Sequence, residues 1–141
     1  MKTLLLDRTA WDLVLDAAGN IALASEPYAI AQDVASAVRL FKGEAYYDTS
    51  QGVPYWEQIL GQRPPLSLVK AAVVKAALTV PGVLDARCFL VSFIDRTLTG
   101  QVQVKTAESI AAASQSSTGT QITTFDGRPM VTSDGYYIVS F

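Results

Sequence analysis

The apolar residues of this chain keep two different periods, and the change between them at Pro81-Gly82 constrains the fold more than any other feature. Upstream, Ile30, Val34, Val38 and Phe41 recur at spacings of four, four and three, with Gln32, Asp33, Ser36 and Arg39 on the other faces. Downstream, residues 83–93 and 98–104 read as apolar or alternating runs, the second alternating cleanly enough to leave one face solvated. A period near 3.6 gathers side chains on one stripe of a helix, whereas a period of about 2 gathers them on one face of a strand. A chain that uses both in turn is expected to lay helices on a small antiparallel sheet, the α+β class.

The remaining elements follow from their punctuation. Leu13-Val14-Leu15-Asp16 and Ile21-Ala22-Leu23 flank Ala17-Ala18-Gly19-Asn20 and predict an N-terminal β-hairpin. The helix opened at Tyr28 is expected to run through Phe41 and stop at Gly43, with Lys42 suited to the negative end of its dipole. Residues 43–53 are irregular. Pro54 can begin, and Gly61 end, a short helical turn whose apolar side is Tyr55, Trp56, Ile59 and Leu60. After the rigid connector Gln62-Arg63-Pro64-Pro65, Ser67 is placed to cap a helix from Leu68 to about Thr79, with Val69, Val73, Ala76 and Val80 on one face. The two strands that follow would join through Ile94-Asp95-Arg96-Thr97.

Residues 107–119 are rich in Ala, Ser and Gln and suggest a mobile connector or a weak helical turn. From Thr120 the pattern is β-like: Gln121 to Phe125, an Asp126-Gly127 turn, then Asp134-Gly135 leading into Tyr136-Tyr137-Ile138-Val139-Ser140-Phe141. The chain therefore divides into a body, residues 1–106, and a connector with a β-rich C-terminal extension, residues 107–141. A terminal strand this apolar, with no charged gatekeeper, needs an edge to join, either in its own sheet or in another subunit.

Composition removes many functions. At 141 residues the chain makes one domain of ordinary size, and with 50% apolar and 17% charged residues it is globular. A formal net charge of -2 offers no electrostatic excess for nucleic acid. With no histidine, a Ser-His-Asp triad, a Cys-His pair and a His-containing zinc site are all excluded. The single cysteine, Cys88, within Cys88-Phe89-Leu90-Val91, reads as a small buried hydrophobe of a protein made in a reducing compartment. No cofactor or metal is expected. Asp7 and Arg8 cut the apolar start too early for a secretory signal, and residues 66–80 are too short and carry Lys70 and Lys75, so no membrane association is expected.

The densest polar and aromatic cluster is Gly43-Glu44-Ala45-Tyr46-Tyr47-Asp48 with Gln51-Gly52-Val53-Pro54-Tyr55-Trp56-Glu57. Glu44 with Asp48 or Glu57 has the residue types of a glycosidase pair, which needs two carboxyl groups across the scissile bond. The plainer expectation is that Glu44 and Asp48 organise the loop by capping and by ion pairing with Arg39 or Arg63. Tyr46, Tyr47, Tyr55 and Trp56 are either satellite core under the loop or anchors for a partner. Arg63-Pro64-Pro65 is more simply a stiff connector than a docking motif, and the two Asp-Gly pairs are turns that lack the spaced oxygen ligands of a calcium loop.

The run Leu40-Phe41-Lys42-Gly43-Glu44-Ala45-Tyr46-Tyr47-Asp48, then Gly52-Val53-Pro54-Tyr55 and Ile59-Leu60-Gly61, a helix ending Val80-Pro81-Gly82-Val83 and a β-hairpin, resembles the baseplate wedge proteins of contractile phage tails, the gene 25-like and Mu-like group. The resemblance covers about residues 10 to 106. Members of that group carry Glu-Pro-Arg in the loop where this chain has Glu44-Ala45-Tyr46, so only the glutamate carries over. The resemblance implies a non-enzymatic structural subunit of the virion, made in the host cytoplasm, that assembles into the baseplate wedge and provides a platform for sheath initiation. Its implied partners are other wedge proteins and the tail sheath protein, with the tail tube or central hub as further neighbours. The implied contacts are Glu44, Tyr46, Tyr47, Asp48, Tyr55 and Trp56 in the loop and Tyr136, Tyr137, Ile138 and Phe141 in the terminal strand. An old lysozyme label attaches to the group, so a peptidoglycan hydrolase is one alternative, and a minor tail adaptor is another.

Overall fold

Helix α1, Tyr28–Arg39, turns Ala29, Ile30, Ala31, Val34, Ala35 and Val38 inward, the stripe that the sequence spacing requires. The computed structural model describes residues 2–7, 9–94, 97–107 and 136–140. Around α1 are strands β1, Lys2–Leu4, and β2, Leu23–Ser25; a π-helical turn, Tyr55–Ile59; helix α2, Leu66–Leu78; and strands β3, Val83–Ile94, β4, Thr97–Thr106, and β5, Tyr136–Ser140. β1 and β2 form one small sheet and β3-β4-β5 a second, with every pairing antiparallel. The α+β class is the one read from the sequence.

The core lies where α1, α2 and the larger sheet meet. It joins Ile30, Ala31, Val34, Ala35 and Val38 to Val73, Ala77 and Val80, and these to Ala86, Val102 and Val104. Most of these side chains are Ala or Val, so the elements approach closely, and each fully buried Val contributes about 1.5–3 kcal/mol. The inward positions of α2 are Val69, Val73, Ala76 and Ala77, with Val80 buried just beyond its end. Gly82, at φ +91, then reverses the chain into β3, and an added Cβ would meet Ile30 at 3.2 Å.

The larger sheet pairs Ala86 with Val104 and Cys88 with Val102, which puts one apolar row on the core and leaves Gln101 and Gln103 on the other side. The register shifts between Val83 and Asp85 and again between Leu90 and Ser92. β5 pairs with β4 from Lys105↔Tyr136 to Gln101↔Ser140. Of the two edges open to the terminal strand, residues 136–140 thus take one in their own sheet, and α1 lies against them. The expectations for residues 108–135, for the Asp95-Arg96 turn and for Phe141 fall outside the described residues.

Three local expectations are corrected. α1 ends at Arg39, and Leu40 is already extended at φ -68, ψ 127. Phe41 therefore leaves the helix and forms a parallel bridge with Val53. Gly43, at φ +87, belongs to the turn that follows and is not the stop. Second, α2 starts at Leu66 without a side-chain cap, so Ser67 lies inside the helix. Pro65 does the work instead: it precedes the first turn, and its carbonyl accepts the Leu68 and Val69 N–H groups.

Third, the N-terminus contributes a strand that the sequence reading did not assign. The expected hairpin is present as the Leu15↔Ile21 bridge, with Asp16 and Asn20 bonded across a turn that places Gly19 at φ +82. Beyond it, Leu6 bridges Leu13, and β1 pairs with β2 through Lys2↔Ser25, Thr3↔Ala24 and Leu4↔Leu23. Gln32 of α1, 5% exposed, fixes this arm: its Nε2 donates to the Leu4 carbonyl at 2.7 Å and its Oε1 accepts the Leu6 N–H at 2.9 Å.

Candidate functional site

The loop from Lys42 to Gly52 is closed at its neck by backbone groups. The Lys42 N–H donates to the Val53 carbonyl and the Val53 N–H donates to the Leu40 carbonyl, both at 2.9 Å. Val53 is fully buried beneath this junction. Gly52, at φ +99, makes the approach possible: an added Cβ would stand 2.7 Å from the Phe41 carbonyl carbon and 2.8 Å from both the Leu40 oxygen and the Lys42 nitrogen. All three are backbone atoms that cannot swing aside.

Within the loop the acidic residues shape the chain. One Glu44 oxygen, Oε2, accepts the Phe41 N–H at 3.0 Å, while the Glu44 N–H donates to the Phe41 carbonyl at 3.0 Å. Asp48 accepts the Ser50 N–H and hydroxyl at 3.0 and 2.6 Å on one oxygen and the Gln51 amide at 2.9 Å on the other. The Ser50 hydroxyl foremost, with the Ser50 N–H and Gln51, holds the Asp48 carboxyl below its ordinary value. Capping is therefore what the sequence led one to expect. The ion pairing expected with Arg39 or Arg63 is not found for Glu44 or Asp48 among the described residues, and the Arg39 guanidinium lies instead 4.4 Å over the Trp11 ring.

The aromatic residues divide by burial. Tyr55 is half-buried against the end of α1, where its hydroxyl donates to the Val38 carbonyl at 2.6 Å. Burial, and then the nearby Cys88, pushes its hydroxyl above the usual range. Its ring meets Phe41 at 4.8 Å, and Phe41 in turn meets Trp56 at 5.5 Å. Trp56 stays 72% exposed, as do Tyr47 at 73% and Tyr46 at 93%, the last two in edge contact at 5.4 Å. Ala45 between them and Glu44 is buried and pins the turn. Tyr55 is thus satellite core, whereas Tyr46, Tyr47 and Trp56 face outward. Phe41, Lys42, Gly43, Glu44 and Trp56 line an open cleft of about 450 Å³.

The loop brings together Glu44, Tyr46, Tyr47 and Asp48, and the π-helical turn adds Tyr55 and Trp56 beside its neck. Tyr136, Tyr137 and Ile138 are on a separate element, β5, opposite Lys105, Val104 and Gln103. Phe41 and Gly52, the two residues that join loop to turn, stood in the sequence motifs but not among the candidate contacts, because the Gly-Val pair just before Pro54 marks a turn without showing what it closes on. Cys88 is half-buried beside the core, and desolvation raises its thiol against the opposing pull of Lys70. Among the described residues no group of three or more His, Cys, Asp or Glu is placed to hold a metal ion.

With loop, turn and sheet in place, the family comparison becomes interpretable. The family model for the contractile injection system sheath initiator matches residues 2–109, which includes both helices, the cinched loop and the β3-β4 pair. The chain belongs to this family. Comparison with curated proteins gives no match. Membership of the sheath initiators makes the chain a structural component of a contractile injection system, acting where the sheath begins and in company with sheath and baseplate proteins. It agrees with the resemblance drawn from the Gly43-Glu44 and Gly52-Val53-Pro54 motifs. No helix among the described residues is long and apolar enough to cross a membrane.

Proposed function

We propose that this sheath initiator is a wedge subunit of the baseplate, seated on neighbouring wedge proteins through the Glu44 to Trp56 loop while its larger sheet faces the first sheath ring. One observation carries the proposal. The loop is closed by backbone hydrogen bonds and Val53, so Tyr46, Tyr47 and Trp56 are free of duty in the core and stand outward as large, amphipathic anchors. The sheet supplies the second half. Among the described strands β3 and β5 are the outer two, and an outer strand offers backbone donors and acceptors to a strand from another subunit. The outer edge of β5 takes the role that the sequence reading gave to the terminal segment. On this reading the chain serves in the virion, at the tail baseplate, and residues 1–106 form the body that carries both contacts.

Quantitative mass spectrometry of purified tails tests the placement, with a low, fixed ratio of this chain to sheath protein expected. Tyr46→Ser with Trp56→Ser should leave the isolated chain folded and lower its incorporation. Unchanged incorporation removes the loop from the contact, and absence of the chain from tails removes the wedge reading altogether. The hydrolase alternative loses support from the site. The carboxylates it would use are engaged by the loop's own chain, Glu44 by the Phe41 N–H and Asp48 by Ser50 and Gln51. Clearing of peptidoglycan by the purified chain, lost in Glu44→Gln, is the result that would restore catalysis.

A further inference from the structure

The N-terminal arms are apolar on both sides. Leu4 is directly opposite Leu23, Leu6 opposite Leu13 and Leu15 opposite Ile21. Residues paired across antiparallel strands, and residues two apart along a strand, project on the same side. The six aliphatic side chains therefore share one face. Five of them remain about half exposed or more: Leu4 49%, Leu13 50%, Leu15 65%, Ile21 49% and Leu23 58%. The alternate positions face the protein, with Ala24 buried and Leu5, Val14 and Ala22 half-buried, and Gln32 of α1 ties the backbone of Leu4 and Leu6 down. Strands that are apolar on both faces are the pattern of a layer covered on both sides, and here α1 covers only one.

The dimensions and charges of the face define what would cover it. Arms spaced about 4.8 Å apart make a strip close in width to one helix, about 10 Å across, and a helix is the usual cover for a sheet face. The turns at the ends of the strip are acidic. Asp7 accepts the Thr9 and Ala10 N–H groups, Asp12 accepts the Leu13 N–H, and Asp16 accepts those of Ala18 and Asn20, so each carboxylate is pinned in place. The bonds to Asn20 and Ala18 also hold the Asp16 carboxyl low, keeping it ionised. The three aspartates outnumber the basic residues of the same arms, Lys2 and Arg8. A second copy of the chain would bring the same acidic turns against these, an unfavourable meeting of like charges.

We propose that this face is the docking site for an amphipathic helix of a partner protein, aliphatic on one side and flanked by lysine or arginine. The proposal uses none of the loop residues and stands apart from the wedge reading. The test uses the full-length, 15N-labelled chain and two synthetic helical peptides, one of leucine and lysine and one of leucine and glutamate. The leucine-lysine peptide should shift the amides of Leu13, Leu15, Ile21 and Leu23 and bind at least about tenfold more tightly than its acidic counterpart, a gap that Asp12→Asn with Asp16→Asn narrows. Leu15→Ser with Ile21→Ser should abolish binding while the chain still unfolds cooperatively. Equal affinity for the two peptides, or shifts centred elsewhere on the wild-type chain, would overturn the proposal whether or not the serine variant folds. Self-association abolished by Leu15→Ser with Ile21→Ser would overturn it in favour of a second copy.

Discussion

Gly52→Ala is the sharpest test of the cinched loop. The new methyl group would enter at 2.7–2.8 Å from three backbone atoms, at a residue with φ +99. The chain has two ways to respond. It can keep the neck shut, at about 1–2 kcal/mol for an alanine at positive φ and about 1–3 kcal/mol for the overlap. Otherwise it opens the neck, losing two hydrogen bonds at about 0.5–1.5 kcal/mol each and the burial of Val53, about 1.5–3 kcal/mol. The first route sums to about 2–5 kcal/mol and the second to about 2.5–6 kcal/mol, and the cheaper one, centred near about 3 kcal/mol, sets the effect. That is a large share of the roughly 5–15 kcal/mol that stabilises a typical domain, and it should lower the melting temperature by about 10 °C. Gly61→Ala is the matched control, because Gly61 has φ +75 but nothing within 4 Å of an added Cβ. It should cost only about 1 kcal/mol, and the entropy that alanine removes from the unfolded chain is common to both variants. Urea unfolding of the two proteins side by side measures the contact alone. If Gly52→Ala unfolds no earlier than Gly61→Ala, the loop is not held shut in the way described.

Three further outcomes are expected. Gln32→Leu strands the Leu6 N–H and the Leu4 carbonyl beneath the N-terminal arm and should destabilise the chain by about 2–4 kcal/mol, with amide exchange at Leu6 and Ala22 accelerating first. Tyr55→Phe deletes the bond to the Val38 carbonyl and should cost about 1–2 kcal/mol in urea unfolding while leaving the Phe41 ring contact in place. Asp48 titrates below its ordinary 3.8 in the folded chain, so the order it gives the loop is present above that value and lost as the pH falls through the lower folded value. The protection of the Ser50 amide, taken relative to its intrinsic exchange rate at each pH, should accordingly fall in acid, and Asp48→Asn should flatten that dependence.

The elements legible in the sequence were those whose side chains answer to a single period. Val69, Val73, Ala76 and Val80 marked the inner face of α2, and the alternation through Val102 and Val104 marked β4. Phe41 was misassigned because it continues the spacing of α1, yet a residue one place past the helix end can keep that spacing while its backbone pairs with Val53. β1 escaped notice for a different reason. Its three residues carry no period of their own, and its place is set by a partner twenty residues away and by Gln32, a polar residue that periodicity alone assigns to an outer face. In the candidate site the acids and aromatics could be named in advance. Which rings faced outward could not, because burial there is decided by the neck at Gly52 and not by hydrophobicity: Trp56 is exposed and Ala45 is buried.

The closure of the loop by main-chain atoms also bears on how such a part can change. Lys42 and Leu40 contribute to the neck only their amide and carbonyl groups, and nearly any side chain could stand in their place. Between the Glu44 turn and Gly52, the tip is insulated from the body that carries it. If the loop is the contact proposed above, new residues at the positions of Tyr46 and Tyr47 would alter what the protein meets without altering whether it folds. On that proposal the segment would be an interchangeable fitting on a constant mount, and one scaffold could serve particles whose neighbouring parts differ.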